Sequence, residues 1–253
     1  MERVGDNPVR EDESLDDLIL GGMKVIQPRR GYRFSLDAVL LAHFPELDGV
    51  RSAVDLGSGS GVIPLIMSWR SPELAVIGIE LQAEVAERSR RSISYNELEG
   101  RIRIIPADIR KIRNALSPAS ADLVVCNPPF WKKGEGHLSS HPEEAVARHE
   151  LEVEFIDICR AAAYLLKDGG HFCVIQRAER LAEVMAAMTG NRLQVRRIRS
   201  VHSWAGDEAT LVLVEGRKNS RGGVRIMPPL VIYQEPGVYS PEVNRWYGRG
   251  QDA

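Results

Sequence analysis

The chain has 253 residues, 27% of them charged and 43% hydrophobic, with a formal net charge of −2. That composition excludes a wholly disordered, collagen-like or disulfide-framework protein, and the length suits one large domain or two small ones. No run of about 18 apolar residues occurs, so no membrane span is expected.

The opening stretch, MERVGDNPVREDESLDD, is too acidic and polar for a secretory leader. Cys126, Cys159 and Cys173 are scattered and odd in number, which reads as buried thiols of a reducing cytoplasm. Residues 1–14 read as a flexible acidic tail and residues 15–253 as a single domain. Charge is uneven: residues 1–22 hold seven acids and two bases, and residues 23–33 hold Lys24, Arg29, Arg30 and Arg33 with no acid.

Beyond the tail, short apolar runs alternate with helical patterns. Ser52–Leu56 reads as a strand, Gly61–Trp69 as a helix, Leu74–Ile79 as a strand, and Gln82–Asn96 as a helix with a charged face. Arg101–Ile105 and Asp122–Cys126 read as strands. Leu151–Leu166 is an apolar-periodic helix, with Lys167-Asp168-Gly169-Gly170 as its C-cap signal. His171–Gln176 is a strand, Ala178–Met188 a helix, and Leu193–Val201 and Thr210–Glu215 a closing strand pair with no helix between. The alternation predicts an α/β fold: a mostly parallel sheet covered by helices on both faces, with an antiparallel hairpin at one edge.

The sharpest local signal is Val54-Asp55-Leu56-Gly57-Ser58-Gly59-Ser60-Gly61, where the first of these strands turns into a helix. Glycines there permit a tight turn and close ligand approach. The helix start offers free N–H groups. The third glycine comes too early for a dinucleotide fingerprint, and an acid before the first glycine suits a cationic amine better than a pyrophosphate. Glu80, nineteen residues after Gly61, ends the next strand run, where a carboxylate can accept both hydroxyl protons of a ribose. Asp108 follows the third strand, where it can meet an adenine amino group. Ammonium, ribose and adenine together describe S-adenosylmethionine.

Asn127-Pro128-Pro129-Phe130 follows the fourth strand and faces the same crevice. Two prolines remove two backbone donors and leave acceptors, the Asn127 side-chain oxygen and the Pro128 carbonyl. Phe130 offers a flat face for a base. That arrangement suits a planar amino group needing two acceptors.

With these motifs the chain resembles class I S-adenosylmethionine-dependent methyltransferases that modify amino nitrogens. The segment Gly21–Ala42, Ala147-Arg148-His149-Glu150, and Met227–Tyr233 are similar to the bacterial tRNA(Val) adenine-N6 methyltransferases. The resemblance implies a Rossmann-like fold with a seven-stranded sheet and a cap, residues 15–50, over the cofactor pocket. It implies cofactor contacts from Arg33, Phe34, Asp55, Gly57, Ser58, Gly59, Gly61, Glu80, Leu81, Asp108, Ile109 and Asn127, and a catalytic turn of Asn127, Pro128, Pro129 and Phe130. The RNA partner it implies is a tRNA, modified just 3′ of the anticodon. Arg29, Arg30, Lys132, Lys133, Arg148 and His149 are candidates to meet that RNA.

Asp37 is expected to cap a helix over Ala38–Phe44. The basic group Arg196, Arg197, Arg199, Arg217, Lys218, Arg221 and Arg225 reads equally as an RNA footprint or as a solvated edge that blocks sheet pairing. His137, His141 and His149 are placed in a surface loop rather than at a metal. The aromatic tail Tyr233–Tyr247 is expected to pack on the domain. Monomer and homodimer both stay open. Methylation of ribosomal guanine N2 or of a protein glutamine, and a non-catalytic S-adenosylmethionine-responsive RNA-binding module, are the alternative readings.

Overall fold

Alternate residues of each central strand are buried in opposite layers, and that period of two sets the architecture. The computed structural model describes residues 8–31, 33–128 and 153–247. Its elements in chain order are β1 (Glu13–Asp17), β2 (Lys24–Pro28), α1 (Leu36–His43), β3 (Ser52–Leu56), α2 (Val62–Arg70), β4 (Ala75–Glu80), α3 (Ala83–Tyr95), β5 (Ile102–Pro106) and β6 (Ala121–Cys126). Next come α4 (Phe155–Leu165), β7 (Leu166–Arg177), α5 (Leu181–Gly190), β8 (Leu193–His202) and β9 (Ala209–Lys218). The chain closes with β10 (Arg225–Ile226), β11 (Leu230–Val231), β12 (Tyr233–Glu235), β13 (Val238–Tyr239) and α6 (Pro241–Trp246).

The main sheet runs β8-β9-β7-β6-β3-β4-β5. β3 to β7 pair in parallel, and β9 lies antiparallel between β7 and β8. These are the seven strands that the sequence pattern implies. Two short segments, β10 and β11, pair with the outer edge of β8. Ala53, Val76, Leu123, Val125, Cys173, Ile175 and Leu213 share one core with α1, α2 and α3. Val54, Ile79, Val124, Cys126, Phe172, Val174 and Val214 share the other with α4 and α5. Among the described residues, no helix is long and apolar enough to cross a membrane.

Four expectations need correction. The acidic tail does not extend to residue 14, because Glu13 and Ser14 begin β1, which pairs with β2 from Glu13 opposite Pro28. Glu13 is only 1% exposed. Its carboxylate takes Arg91 at 2.6 and 2.7 Å and Arg88 at 2.9 Å. With Arg91 as the main cause, its pKa is held down at about 2. An acid reads as tail in sequence, but here it fastens a hairpin to α3.

We expect Glu13→Ala to cost about 3 kcal/mol, because it removes the buried carboxylate shared by Arg88 and Arg91 and leaves Arg91 only Glu87 and the Pro8 carbonyl. Hydrogen exchange in β1 and β2 should rise first. The ordinary carboxylate pKa of 4.5 lies above the folded one, so this anchor contributes fully above about 4.5 and fades as pH falls toward 2.

Second, Lys167–Gly170 does not cap a helix. α4 ends at Leu165 and the chain enters β7 directly, with Gly169 at φ +78° inside a register shift against β6. Lys167 Nζ holds the Asp122 carboxylate at 2.6 Å.

Third, Asp37 lies inside α1 rather than at its cap. Ser35 occupies that place, and its hydroxyl donates to Asp37 at 2.9 Å.

Fourth, Arg197 and Arg199 are not available to RNA. Arg197 is 5% exposed and pairs with Glu215, while Arg199 forks onto both oxygens of Glu242 at 2.8 and 2.7 Å. The aromatic tail packs on the domain. Trp246 stacks on His43 at 5.1 Å, and Tyr233, Tyr239 and Tyr247 stack in sequence.

Candidate active site

Parallel strands deliver their C-terminal ends to one edge of the sheet, and ligands of such folds gather where the chain order reverses. That reversal lies here between β3 and β6, which pair directly while the chain continues from β3 to β4 on the other side. Asp55 sits in register with Gly78 of β4 and Val125 of β6. Two residues further along each strand come Gly57, Glu80 and Asn127. Three adjacent strand ends, roughly 5 Å apart, thus present a row of chemistry-bearing positions.

The glycine loop is tied to its neighbour. Gly57 and Ser58 both donate N–H bonds to the Ile79 carbonyl at 2.9 Å. Gly57, Gly59 and Gly61 have φ of +79°, +54° and +82°, where L side chains are strained. Their surroundings differ. A Cβ on Gly61 would lie 2.4 Å from Ser89 Oγ of α3, so this glycine serves close packing. A Cβ on Gly57 or Gly59 would meet nothing within 4 Å, so these two face open space that a ligand can fill.

Asp55 is 0% exposed, and neither carboxylate oxygen has a hydrogen-bond partner among the described residues. Burial pushes its pKa up to about 7, and the Glu80 carboxylate adds to that rise; the Ser58 hydroxyl lies close enough to counter it in part but makes no hydrogen bond to either oxygen. A buried, unpartnered acid is costly unless a cation or donor meets it. Glu80 is also buried and raised by desolvation, against which backbone N–H groups work. It accepts from Gly59 N and from Gln82 N, each at 2.9 Å, and so bridges the glycine loop to the start of α3. Each oxygen keeps a lone pair for a hydroxyl. The donor set fits an ammonium at Asp55, a diol at Glu80 and an open backbone cradle between them.

Asp108 behaves differently. It caps the 3-10 turn Ile109–Asn114 by accepting from Arg110 N, and the Arg110 side chain grips both its oxygens. That grip is the main reason its pKa lies below the usual range. An adenine amino group there would share Asp108 with Arg110. Leu81 and Ile109 are half-buried beside these acids.

Asn127 is half-buried and Pro128 buried, immediately past the end of β6. Pro129, Phe130, Lys132, Lys133, His137, His141, Arg148 and His149 lie outside the described residues.

The upstream candidates sit on the β1–β2 hairpin and its exit. Glu13 meets Arg88 and Arg91 of α3, and Lys24 meets Asn96 just past its end. The hairpin therefore lies along α3, with its open end toward the crevice side. Arg33 pairs with Asp16 and donates to Ser14 Oγ at 3.2 Å, and Phe34 N donates to Gln27 Oε1 at 2.7 Å. Arg33 is thus engaged by the hairpin, and Phe34 packs on the core formed with α1. Arg29 and Arg30 are exposed, with Arg29 Nε donating to the Glu11 carbonyl at 3.2 Å. Sequence reasoning missed Glu13, whose acidic neighbourhood hides a buried position, and Gln176, considered below.

Comparison with known proteins agrees with this geometry. The family model described as methyltransferase small domain matches residues 36–200. A tRNA1(Val) (adenine(37)-N6)-methyltransferase of Porphyromonas gingivalis is 31% identical over 223 residues, covering 84% of this chain and 86% of that protein. A protein of the same name from Escherichia fergusonii is 28% identical over 152 residues, which span 60% of this chain and 61% of that relative's length. Among solved structures, a predicted O-methyltransferase from Agrobacterium tumefaciens aligns with a TM-score of 0.68 at 25% identity, over 84% of this chain and 95% of that one.

Proposed function

We propose that this chain, which belongs to the methyltransferase small domain family, transfers a methyl group from S-adenosylmethionine to the exocyclic N6 of an adenine in structured RNA. The tRNA adenosine 3′ of the anticodon is the proposed substrate, in keeping with the names of the relatives. The observation that carries the reading is the row of Asn127, Gly57 and Glu80 at adjoining strand ends, with the unpartnered Asp55 beneath it.

The cofactor supplies a methyl on a sulfonium, an electrophile needing no metal. Asp55 would hold the ammonium and Glu80 the ribose hydroxyls, and Gly57 and Gly59 would admit the chain between them. Asn127 Oδ1 and the Pro128 carbonyl accept the two amino protons of the adenine. Those bonds draw the nitrogen toward tetrahedral geometry and localise its lone pair. Bound there, S-adenosylmethionine would supply its methyl to that nitrogen, the N–C bond forming as the S–C bond breaks to give S-adenosylhomocysteine, and the surplus proton would pass from nitrogen to water. Positioning is the principal source of rate, worth up to about 7–11 kcal/mol when the reacting atoms are held at near-attack distance. The base must leave its stack, which a loop nucleotide does at least cost.

The two kinds of glycine give a separable prediction. Gly59→Ala should cost the fold only about 1–2 kcal/mol, from its backbone angle, yet weaken S-adenosylmethionine binding at least tenfold by filling the cradle. Gly61→Ala should destabilise the fold more, through its clash with Ser89. Thermal melts paired with cofactor titrations check both.

The proposal is tested by offering labelled S-adenosylmethionine together with unmodified tRNA, ribosomal RNA and a protein fraction. Label in tRNA supports the reading. Label only in ribosomal RNA or protein would keep methyl transfer and overturn the substrate. RNA binding without transfer to any acceptor would favour a non-catalytic module.

A further inference from the structure

Gln176 is 0% exposed, at the C-terminal end of β7. Its Oε1 accepts from the following backbone N–H, Arg177 N, at 2.9 Å, which fixes the amide's orientation. Its Nε2 has no hydrogen-bond partner among the described residues. A buried amide donor left unpaired is unusual. Gln176 pairs in register with Val212, and its strand neighbour on the same face is Val174, both members of the apolar core under α4 and α5.

Register shows what lies beside it. The last pair between β6 and β7 is Cys126 with Val174. Two residues further along the chain come Pro128, already past the end of β6, and Gln176, still within β7. At that level β6 has ended, so the carbonyls of Asn127 and Pro128 have left the ladder. Continued past its last pair, the same edge leads to the proposed acceptor turn, where Pro128 contributes no N–H.

Resting on the reading of that turn as the amino-group site, we infer that Gln176 is a positioning residue for it. Nε2 donates to a main-chain carbonyl of Asn127-Pro128 when the target adenine is engaged, and holds the turn with its acceptors aimed at the amino group. Gln176 touches neither cofactor nor substrate. It occupies the face of the sheet opposite to Asp55, so cofactor binding does not depend on it.

The test is Gln176→Met, which keeps volume and removes the amide. Single-turnover and steady-state methyl transfer to unmodified tRNA are measured beside thermal melting and cofactor titration. The expected result is a kcat ten- to a hundredfold lower, with the KM for RNA and the Kd for S-adenosylmethionine within twofold of wild type and the melting midpoint unchanged within a few degrees. An unchanged kcat overturns the inference, since the amide is then only a buried polar group. A variant that fails to fold, or loses cofactor affinity in parallel with rate, overturns it as well, since the role is then structural. Gln176→Leu must repeat the pattern, which separates loss of the donor from a peculiarity of methionine. Wild-type protein that methylates no acceptor overturns the underlying reading and this inference with it, and it is recognised before any variant is compared.

Discussion

Asp55→Asn is expected to make the protein more stable and nearly unable to hold its cofactor. The carboxyl is fully buried without a partner, and burial raises its pKa from 3.8 to about 7. The folded chain therefore binds this proton more tightly than the unfolded chain does. The carboxyl costs nothing below about 4, and its penalty grows as pH rises toward 7, to an upper limit of about 4 kcal/mol. An uncharged amide removes the charge but still buries a polar group. A gain of about 2 kcal/mol at pH 8 is expected, or roughly 4–8 °C in the melting midpoint. At pH 4 the gain should vanish.

Cofactor affinity should move the other way. A buried charge-assisted hydrogen bond is worth about 1.5–3 kcal/mol, so binding should weaken by on the order of a hundredfold. Because the ammonium selects the ionised carboxylate, wild-type affinity should also fall about tenfold per pH unit below 7, a dependence the amide lacks. Calorimetric titration at pH 6, 7 and 8 checks the slope. A variant that binds as tightly as wild type would remove Asp55 from the cofactor site.

The second large effect concerns the fold. Glu215 lies buried between Arg197 at 2.6 Å and His171 at 3.2 Å, with Arg217 at 3.4 Å. Burial pushes its pKa up, but His171, Arg197 and Arg217 outweigh that and hold it below the usual range. Arg197 also reaches Glu46 at 2.5 Å and the Phe44 carbonyl at 2.9 Å, with its guanidinium 4.5 Å from the Phe44 ring centroid. The cluster joins the β8–β9 edge to the end of α1. Glu215→Ala leaves the buried Arg197 short of its deepest partner and should cost about 3–5 kcal/mol, lowering the midpoint by on the order of 10 °C. The double variant Arg197→Met with Glu215→Leu should recover most of that loss, since both charges leave together. Equal destabilisation by the single and double variants would contradict this assignment.

The parts legible in sequence were those whose signal is local. Strand runs next to glycines announce β3 and its loop, and the acids at positions 55 and 80 stand at strand ends because the period of two counts them there. The strand directions follow from helices between parallel strands and their absence between β8 and β9, whereas the order, with β9 seated between β7 and β8, does not.

What stayed hidden depends on distant partners. Glu13 looks like one more acid in an acidic stretch until Arg88 and Arg91 are folded against it. Arg197 reads as part of a basic surface because Glu46 lies 151 positions away. Asp108 sits where the motif puts it, yet Arg110 two residues later already grips its carboxylate, a contact that residue spacing does not reveal. Gln176 is one polar letter at the end of a strand, and only the structure shows it fully buried, two residues past the last pair of β7 with β6. The short β10 to β13 have too few residues to carry any period.

Methyl transfer to an adenine amino group at the turn after β6 is tested directly by one measurement. Unmodified tRNA is incubated with labelled S-adenosylmethionine and the protein, digested to nucleosides, and analysed by mass spectrometry beside an Asn127→Ala control. The predicted result is N6-methyladenosine from the wild type and a yield at least a hundredfold lower from the variant, with its cofactor affinity largely kept. Methyl on a guanine, or equal yields from the two proteins, would contradict the account.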